Sequence, residues 1–300
     1  MSKPTLGLQD LCKHVKNILT SGFVMYENPL STVILANPER GKTTEVLRYM
    51  CKGIKIMNDC TAFGIAKYLN ELKESDREAI HHIIVPDIER IHARAPNVRK
   101  ELLATMQIFM AEGMSQIKTG FISLTFEKEP KIIGFIMATT PRDLGDRRSI
   151  FRRASFLSRV IPYSYEFDDM MKESVIEFVT LEKHLKPDLI RMDLDKKYNV
   201  IVPEIYKKKV IKYARNLADK TNDFTAKIYK IQDADGKTVM VKENLKELIG
   251  IRYTENFMCY LKSIALSYHE YTVTDKHFNE FDSLYKYFNY DYNEIRIEEK

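Results

Sequence analysis

The sequence has few cysteines, and their spacing excludes two common stabilising devices. The four cysteines, Cys12, Cys51, Cys60 and Cys259, are far apart in a chain of 300 residues, and no two of them form a C-x-x-C pair. Scattered thiols of this kind are typical of the reducing cytoplasm. They argue against a disulfide framework and against a zinc site.

Long apolar runs are also absent. No run approaches the roughly 20 residues that a membrane-spanning helix needs, and the N-terminal residues lack the basic-then-apolar pattern of a secretion signal. We therefore expect a cytoplasmic protein that does not associate with a membrane.

The charge balance has little excess of either sign. The formal net charge is +5, and a composition of 44% apolar and 30% charged residues is ordinary for a globular protein. The net charge alone does not predict a nucleic-acid partner. Six arginines nevertheless lie close together in the sequence: Arg142, Arg147, Arg148, Arg152, Arg153 and Arg159. Such a cluster is explained either by a solvated basic face or by contact with a phosphate backbone.

The residues that follow the first apolar run predict a phosphate-binding loop. The run 32–35 is followed by Ala-Asn-Pro-Glu-Arg-Gly-Lys-Thr-Thr and then by a segment with helical character over 44–52. Gly41 would let the backbone approach a phosphate, Lys42 would reach the β- and γ-phosphates, and the Thr43 hydroxyl would hold Mg²⁺. The residues expected to contact the nucleotide are Asn37, Pro38, Glu39, Arg40, Gly41, Lys42, Thr43 and Thr44. Ala36 stands where the usual motif has its first glycine, and a plain strand–turn–helix with a surface lysine is the alternative.

The order of predicted elements indicates an α/β domain followed by a helical one. Apolar strands at 32–35, 55–57, 81–85, 132–138 and 160–167 alternate with helices, which is typical of a parallel sheet. We expect a nucleotide-binding α/β domain over residues 1–170. Residues 171–300 are predicted to form a mostly helical domain with one β-hairpin, whose turn lies at 233–236.

Carboxylates and a threonine follow two later strands of the predicted sheet. Asp87 and Glu89 come after the strand 81–85, where one acid could bind Mg²⁺ and another could orient an attacking water. Either Asp87 serves the metal, or Asp87 takes the water-orienting place and the metal carboxylate is missing. Thr140 ends the strand 132–138 and could touch the γ-phosphate or the water. Arg159 lies where an arginine finger could reach a neighbouring subunit's nucleotide.

Taken together, these segments resemble those of an AAA+ ATPase, specifically the branch of the MCM replicative helicases and the Mg-chelatase and MoxR-like proteins. The similarity lies in residues 36–50 (ANPERGKTTEVLRYM, Walker A), 85–91 (VPDIERI, Walker B), 112–121 (EGMSQIKTGF, pre-sensor hairpin), 138–141 (ATTP, sensor one), 157–159 (LSR, arginine finger) and 250–255 (GIRYTE, lid helix with the sensor-two arginine).

The resemblance implies a P-loop NTPase domain with a helical lid, ATP and Mg²⁺ as cofactors, and a ring-shaped homo-oligomer, of which a hexamer is one form. Lys118 falls on the lysine that touches DNA in the central channel of that family, and Arg252 falls on the sensor-two arginine. In the family register, Pro86 replaces the metal-binding aspartate and Asp87 sits at the catalytic glutamate. Processive unwinding and fast hydrolysis are therefore in doubt.

Three functions remain open from the sequence. The first is a ring-forming, DNA-binding ATPase that serves as an MCM-like motor or as an accessory factor of replication or of a mobile element. The second is a catalytically impaired AAA+ scaffold that recruits a protein partner, an alternative motivated by Ala36 and Pro86. The third is a MoxR-like chaperone that acts on proteins and needs no nucleic acid.

Overall fold

The computed structural model of the chain describes residues 7–118, 122–126, 129–146, 149–181, 189–232, 238–243 and 248–290. The α-helices within these residues are α1 (Gln9–Thr20), α2 (Lys42–Val46), α3 (Ala62–Glu71), α4 (Glu74–Ala79), α5 (Glu89–His92), α6 (Pro96–Met110), α7 (Pro141–Gly145), α8 (Ala154–Leu157), α9 (Asp169–Leu181), α10 (Glu204–Thr225), α11 (Ile251–Ser267) and α12 (Asp275–Tyr285). Short 3₁₀ helices cover Ser21–Phe23 and Ile150–Arg152.

Five parallel strands form the central sheet, and we number them β1 (Thr32–Leu35), β2 (Ile54–Ile56), β3 (His82–Val85), β4 (Gly134–Thr139) and β5 (Ile161–Ser164). Their order across the sheet is β2-β3-β4-β1-β5. Every residue of β1, β3 and β4 is buried, as expected for strands covered on both faces. The predicted parallel α/β sheet is confirmed.

Shorter strands form three two-stranded ladders outside this sheet. Gln116–Lys118 pairs antiparallel with Ser123–Thr125, and Lys227–Gln232 pairs antiparallel with Thr238–Glu243. The second pair confirms the predicted hairpin of the C-terminal half, although its predicted turn at 233–236 lies outside the described residues. The third ladder joins Tyr49–Met50 to Ile190–Arg191 in parallel.

The strand order creates a crevice beside β1. The chain leaves β1 toward β2 at one edge of the sheet, whereas it leaves β4 toward β5 on the other side of β1. Because the loops after these neighbouring strands depart in opposite directions, their carboxyl ends leave room for a ligand between them. The same edge also receives the segment after β3, since the strands are parallel.

Hydrophobic residues cover both faces of the sheet. Side chains such as Val33 and Val85 pack against α3 and α6 on one face, while Ile34 and Ile84 share the other face with α1, α2 and the C-terminal helices. The C-terminal residues thus form the predicted mostly helical region. The proposed division at residue 170 stays a prediction, and α1 packs closely on α11.

A buried histidine ties α1 to the sheet and to α11. The Thr32 hydroxyl donates to the carbonyl of Ile161 at 2.7 Å, so it accepts from His14 Nε2 at 2.8 Å. His14 Nδ1 therefore accepts from the Tyr260 hydroxyl at 2.9 Å. Complete burial lowers the pKa of His14 to about 3, so that the ring is neutral.

The prediction of a helix over 44–52 was wrong for the residues after Val46. α2 ends at Val46, where the chain turns so that Arg48 pairs with Glu45 at 2.9 Å in the protein interior. The Tyr49 hydroxyl donates to the carbonyl of Cys12 at 2.7 Å, and the backbone after it becomes a strand. Pairing with a strand far along the chain overrides local helix propensity here.

Within the described residues, no helix combines the length and the apolar character that a bilayer crossing requires.

The buried ion pair after α2 gives a test of stability. Glu45 is fully buried and Arg48 is 2% exposed, so removal of the guanidinium takes away the cationic partner of a buried carboxylate. We expect Arg48→Ala to lower the free energy of unfolding by about 3–5 kcal/mol, measured by urea denaturation. The double variant Glu45→Gln, Arg48→Met should lose less, because it buries no lone charge. A loss below about 1 kcal/mol for Arg48→Ala contradicts this account.

Candidate functional site

The candidate site lies at the carboxyl edge of the sheet, on the face that carries α2. Side chains alternate between the faces of a strand. Each strand-end residue therefore follows a core residue of the α2 face by two positions: Ala36 after Ile34, Pro86 after Ile84, and Thr140 after Ala138. The sequence-predicted loop, the segment after β3 and the threonine after β4 are thus brought to one place.

The loop between β1 and α2 takes a conformation that requires glycine at one position. Gly41 has a φ of +76°, and a Cβ on it would lie 2.8 Å from Leu8 Cδ1. Glu39 also has a positive φ, of +63°. Any side chain at position 41 would therefore strain the backbone and collide with the residue that precedes α1.

Lys42 points back into its own loop. Its ammonium group donates to the carbonyl oxygens of Ala36 and Asn37, the second at 2.9 Å. Partial burial lowers the pKa of Lys42, while four surrounding carboxylates oppose that shift, those of Glu89, Asp87, Asp143 and Glu166 in decreasing order. The lysine is thus a cation held among acids at the mouth of the crevice.

Backbone amides beside the lysine lack acceptors. In the described part of the chain, no protein acceptor receives the N–H groups of Gly41, Lys42 and Thr43, and α2 has no side-chain cap. Three amide donors and a flexible ammonium group thus belong to one short loop. These groups fit the oxygens of a phosphate.

The outer part of the loop is fastened to the chain that follows β5. Glu166 accepts from Asn37 Nδ2 at 2.6 Å and from Arg40 Nε at 2.5 Å, and the Tyr165 hydroxyl donates to the carbonyl of Arg40 at 2.6 Å. Partial burial raises the pKa of Glu166, but the hydrogen bonds from Arg40, from the Phe167 amide and from Asn37 outweigh burial and lower this pKa. The side chains of Asn37 and Arg40 therefore brace the loop rather than face the crevice.

The magnesium-binding threonine of the predicted motif faces a proline. Thr43 Oγ1 lies 3.4 Å from the carbonyl oxygen of Pro86. The neighbouring Asp87 uses its Oδ1 to accept from the Glu89 amide at 2.9 Å. Of the two alternatives for Asp87, this geometry favours the one in which the usual metal carboxylate is missing.

A third acid, which the sequence reasoning missed, joins Asp87 and Glu89 from α7. Asp143 accepts from the Thr140 hydroxyl and donates its own amide back to that oxygen at 3.2 Å. The signal was the spacing Thr-x-x-Asp, which predicts a helix cap. A hydrogen bond with Asp143, followed by desolvation and the nearby charges of Asp143 and Asp87, raises the pKa of Glu89 to about 7.

Magnesium would find few fixed protein ligands here. In the ranges that the structure describes, no group of three or more His, Cys, Asp or Glu side chains is arranged to hold a metal ion. Mg²⁺ usually keeps several waters and takes one or two carboxylates together with substrate phosphates. The Thr43 hydroxyl could supply one such ligand, whereas Asp87 is engaged with the Glu89 amide and Asp143 with the Thr140 hydroxyl.

Arg159 and Arg252 lie together at the opposite edge of the sheet. Arg159 precedes β5 and Ser31 precedes β1, and both border a cavity of about 440 Å³ that Arg252 also lines. Arg159 Nη2 lies 3.4 Å from Glu112 Oε1, and Arg252 Nη1 donates to Ser158 Oγ at 3.2 Å. Desolvation and then the charge of Arg252 lower the pKa of Arg159. Neither arginine lies at the edge that carries Lys42 of the same chain.

The remaining basic residues separate into structural and exposed ones. Lys118 is exposed on the strand Gln116–Lys118, and the connection at 119–121 lies outside the described residues. Arg152 donates to the carbonyls of Phe224 and Gly145, so its role is structural. Arg142 and Arg153 are exposed, while residues 147 and 148 are not described.

The chain matches none of the protein-family models and none of the curated proteins with which it was compared. Assignment of a function therefore rests on the residues of the site.

The raised pKa of Glu89 predicts a pH-dependent stability. A carboxyl with a folded pKa of about 7 and an ordinary value of 4.5 holds its proton longer in the folded state. The free energy of unfolding therefore falls as the pH rises from about 4.5 to about 7. We expect Glu89→Gln to stabilise the protein at pH 8 and to have little effect at pH 5, measured by urea denaturation. Glu101→Gln, at an exposed position of α6, is the control, and equal effects of Glu89→Gln at both pH values would contradict the prediction.

Proposed function

We propose that this chain binds ATP with Mg²⁺ at the loop 36–43 and works as a ring-forming, DNA-binding ATPase of the AAA+ type. One observation carries the proposal. Several polar groups converge on the crevice at the carboxyl edge of the sheet: Lys42, three free amides, Thr43, Thr140 and the carboxylate of Glu89. Open α/β sheets bind ligands at such crevices.

Phosphate binding would exchange the contacts of Lys42. The ammonium group now rests on two carbonyl oxygens, which a phosphate oxygen can replace as its partner. The amides of Gly41, Lys42 and Thr43 would bind the β- and γ-phosphates. Mg²⁺ supplies charge neutralisation when it is bound, and the hydroxyl of Thr43 is the protein group nearest to that role.

Water activation would fall to the carboxylates around Thr140. Glu89 carries a pKa of about 7, which suits a group that accepts a proton near neutral pH. The Thr140 hydroxyl is already oriented by Asp143. Asp87, which caps the Glu89 amide, keeps the backbone of this segment in place.

The two arginines support assembly into a ring. Arg159 and Arg252 lie at the amino edge of the sheet, whereas the loop 36–43 lies at the carboxyl edge. A head-to-tail ring sets the amino edge of one subunit against the carboxyl edge of the next. Both arginines would then face the nucleotide of a neighbour, with Lys118 on the hairpin directed toward DNA in the channel.

A catalytically impaired scaffold is the second candidate. It is favoured by Pro86, which faces Thr43 at the position where a metal carboxylate is customary. Such a protein would bind nucleotide, assemble, and recruit a protein partner without turnover. A MoxR-like role on protein substrates is distinguished from both by a lack of DNA stimulation.

The first test separates nucleotide binding from turnover. Lys42→Ala removes the charged donor that the loop offers to the phosphates, so we expect ATP to bind more weakly by about 1.5–3 kcal/mol, or about 10- to 150-fold in Kd, measured by calorimetry. Turnover, measured with and without DNA, should be lost. Lys67→Ala, at an exposed position of α3, is the control. Unchanged binding by Lys42→Ala would exclude this site, and binding without turnover in the unaltered protein would select the scaffold.

The second test asks whether the arginine acts across an interface. Arg159→Ala and Lys42→Ala should each lack ATPase activity alone, because one lacks the finger and the other the phosphate ligand. Mixed oligomers pair an intact Lys42 of one subunit with an intact Arg159 of its neighbour at about a quarter of the interfaces. We expect activity to return to about that fraction on mixing. No recovery in oligomers shown to contain both variants would contradict the ring arrangement.

A further inference from the structure

The solvent-facing side of α10 carries an unusual concentration of positive charge. Five basic residues in the first half of this helix are exposed: Lys207, Lys208, Lys209, Lys212 and Arg215. No acidic residue occurs between Ile205 and Asn216, and the one acid before them, Glu204, is paired with Lys207 at 3.2 Å. The helix surface over these three turns therefore has a large local excess of cations.

Three of these residues form a straight stripe. Lys208, Lys212 and Arg215 are spaced by four and three residues, so that they lie on one side of the helix. That side is opposite the residues by which α10 packs into the core, such as Val210 and Leu217, which are fully buried. We call Lys208, Lys212 and Arg215 the α10 stripe.

The stripe has no explanation in the stability of the helix. The pair Lys208–Lys212 is a like-charge contact at four residues, which lowers the stability of the helix. The nearby carboxylates of α12 are engaged elsewhere, since Asp275 accepts from the hydroxyl of Tyr206 and Asp282 accepts from that of Tyr213. A cationic surface that costs intramolecular stability fits a polyanionic partner.

We propose that the α10 stripe binds the phosphate backbone of duplex DNA. This deepens the proposed function, since it rests on the chain acting on DNA and adds a contact apart from Lys118. The seven helical steps from Lys208 to Arg215 span about 10 Å. A duplex presents about one negative charge per 1.7 Å, so about six phosphate charges lie along that length.

An anionic membrane fits this face less well. A helix that lies on a membrane surface inserts a continuous apolar side, but the apolar side of α10 is occupied by the core. Its exposed apolar residues, Ile205 and Ile211, are 61% and 40% exposed and stand apart among the cations. The stripe is therefore suited to a rigid array of phosphates.

The test is the salt dependence of DNA binding. The triple variant Lys208→Gln, Lys212→Gln, Arg215→Gln is compared with the full-length protein by fluorescence anisotropy of a labelled duplex, with ATP present. We expect its affinity to fall at least about tenfold at low salt, and the slope of log K against log salt to shrink by about 2 to 3. A control triple, Lys13→Gln, Lys67→Gln, Lys100→Gln, changes the net charge equally at exposed positions elsewhere and should keep both values.

The readouts distinguish this proposal from the function on which it rests. Circular dichroism and ATP binding should be unchanged in the α10 triple variant, which excludes misfolding. A slope and an affinity equal to those of the control triple would overturn the stripe as a DNA contact. If Lys118→Ala lost DNA binding in that case, the proposed function would stand without a DNA contact by the α10 stripe. If the unaltered protein bound no duplex, both proposals would be overturned. Stripe-dependent binding to phosphatidylserine vesicles without binding to DNA would overturn the assignment of DNA as the partner.

Discussion

The position of β1 between β4 and β5 is the constraint on which the rest of the molecule depends. β1 has only four residues, all buried, and it forms parallel hydrogen bonds on both sides. Because its neighbours are the fourth and fifth strands of the sheet, the loop after it opens into the gap between diverging connections. The residues after β3 and β4 are brought to the same edge, so one short strand fixes the meeting point of loop, acids and threonine.

Charge balance at that meeting point sets the chemistry that is available. Lys42 is surrounded by carboxylates but donates to backbone oxygens, while Glu89 and Asp143 share a hydrogen bond. A bound triphosphate would change both conditions, because it offers the lysine a better acceptor and adds negative charge beside two acids. Thr43 faces the carbonyl of Pro86 at the place where a metal carboxylate is customary, which removes one usual means of holding a cation there.

Local patterns in the sequence predicted those parts of the structure that local interactions determine. The apolar run before Ala36 and the pair Gly41–Lys42 predicted a strand and a tight loop, because burial and a positive φ leave few alternatives. The end of α2 could not be predicted, since it depends on Tyr49–Met50 pairing with a strand far along the chain. Asp143 was missed because the spacing Thr-x-x-Asp predicts only the end of a helix. It does not indicate that the carboxyl group of Asp143 lies near that of Glu89. The bracing of Asn37 and Arg40 by Glu166 depends on the distant end of β5 and was likewise out of reach.

The contact between Leu8 and Gly41 links the loop to the far side of the molecule. Leu8 directly precedes α1, which is joined through His14 to Tyr260 of α11 by buried hydrogen bonds. These bonds are buried, and α1 packs along α11, which also carries Arg252. A single helix therefore lies between the loop at the carboxyl edge of the sheet and the helix whose first turn reaches the amino edge.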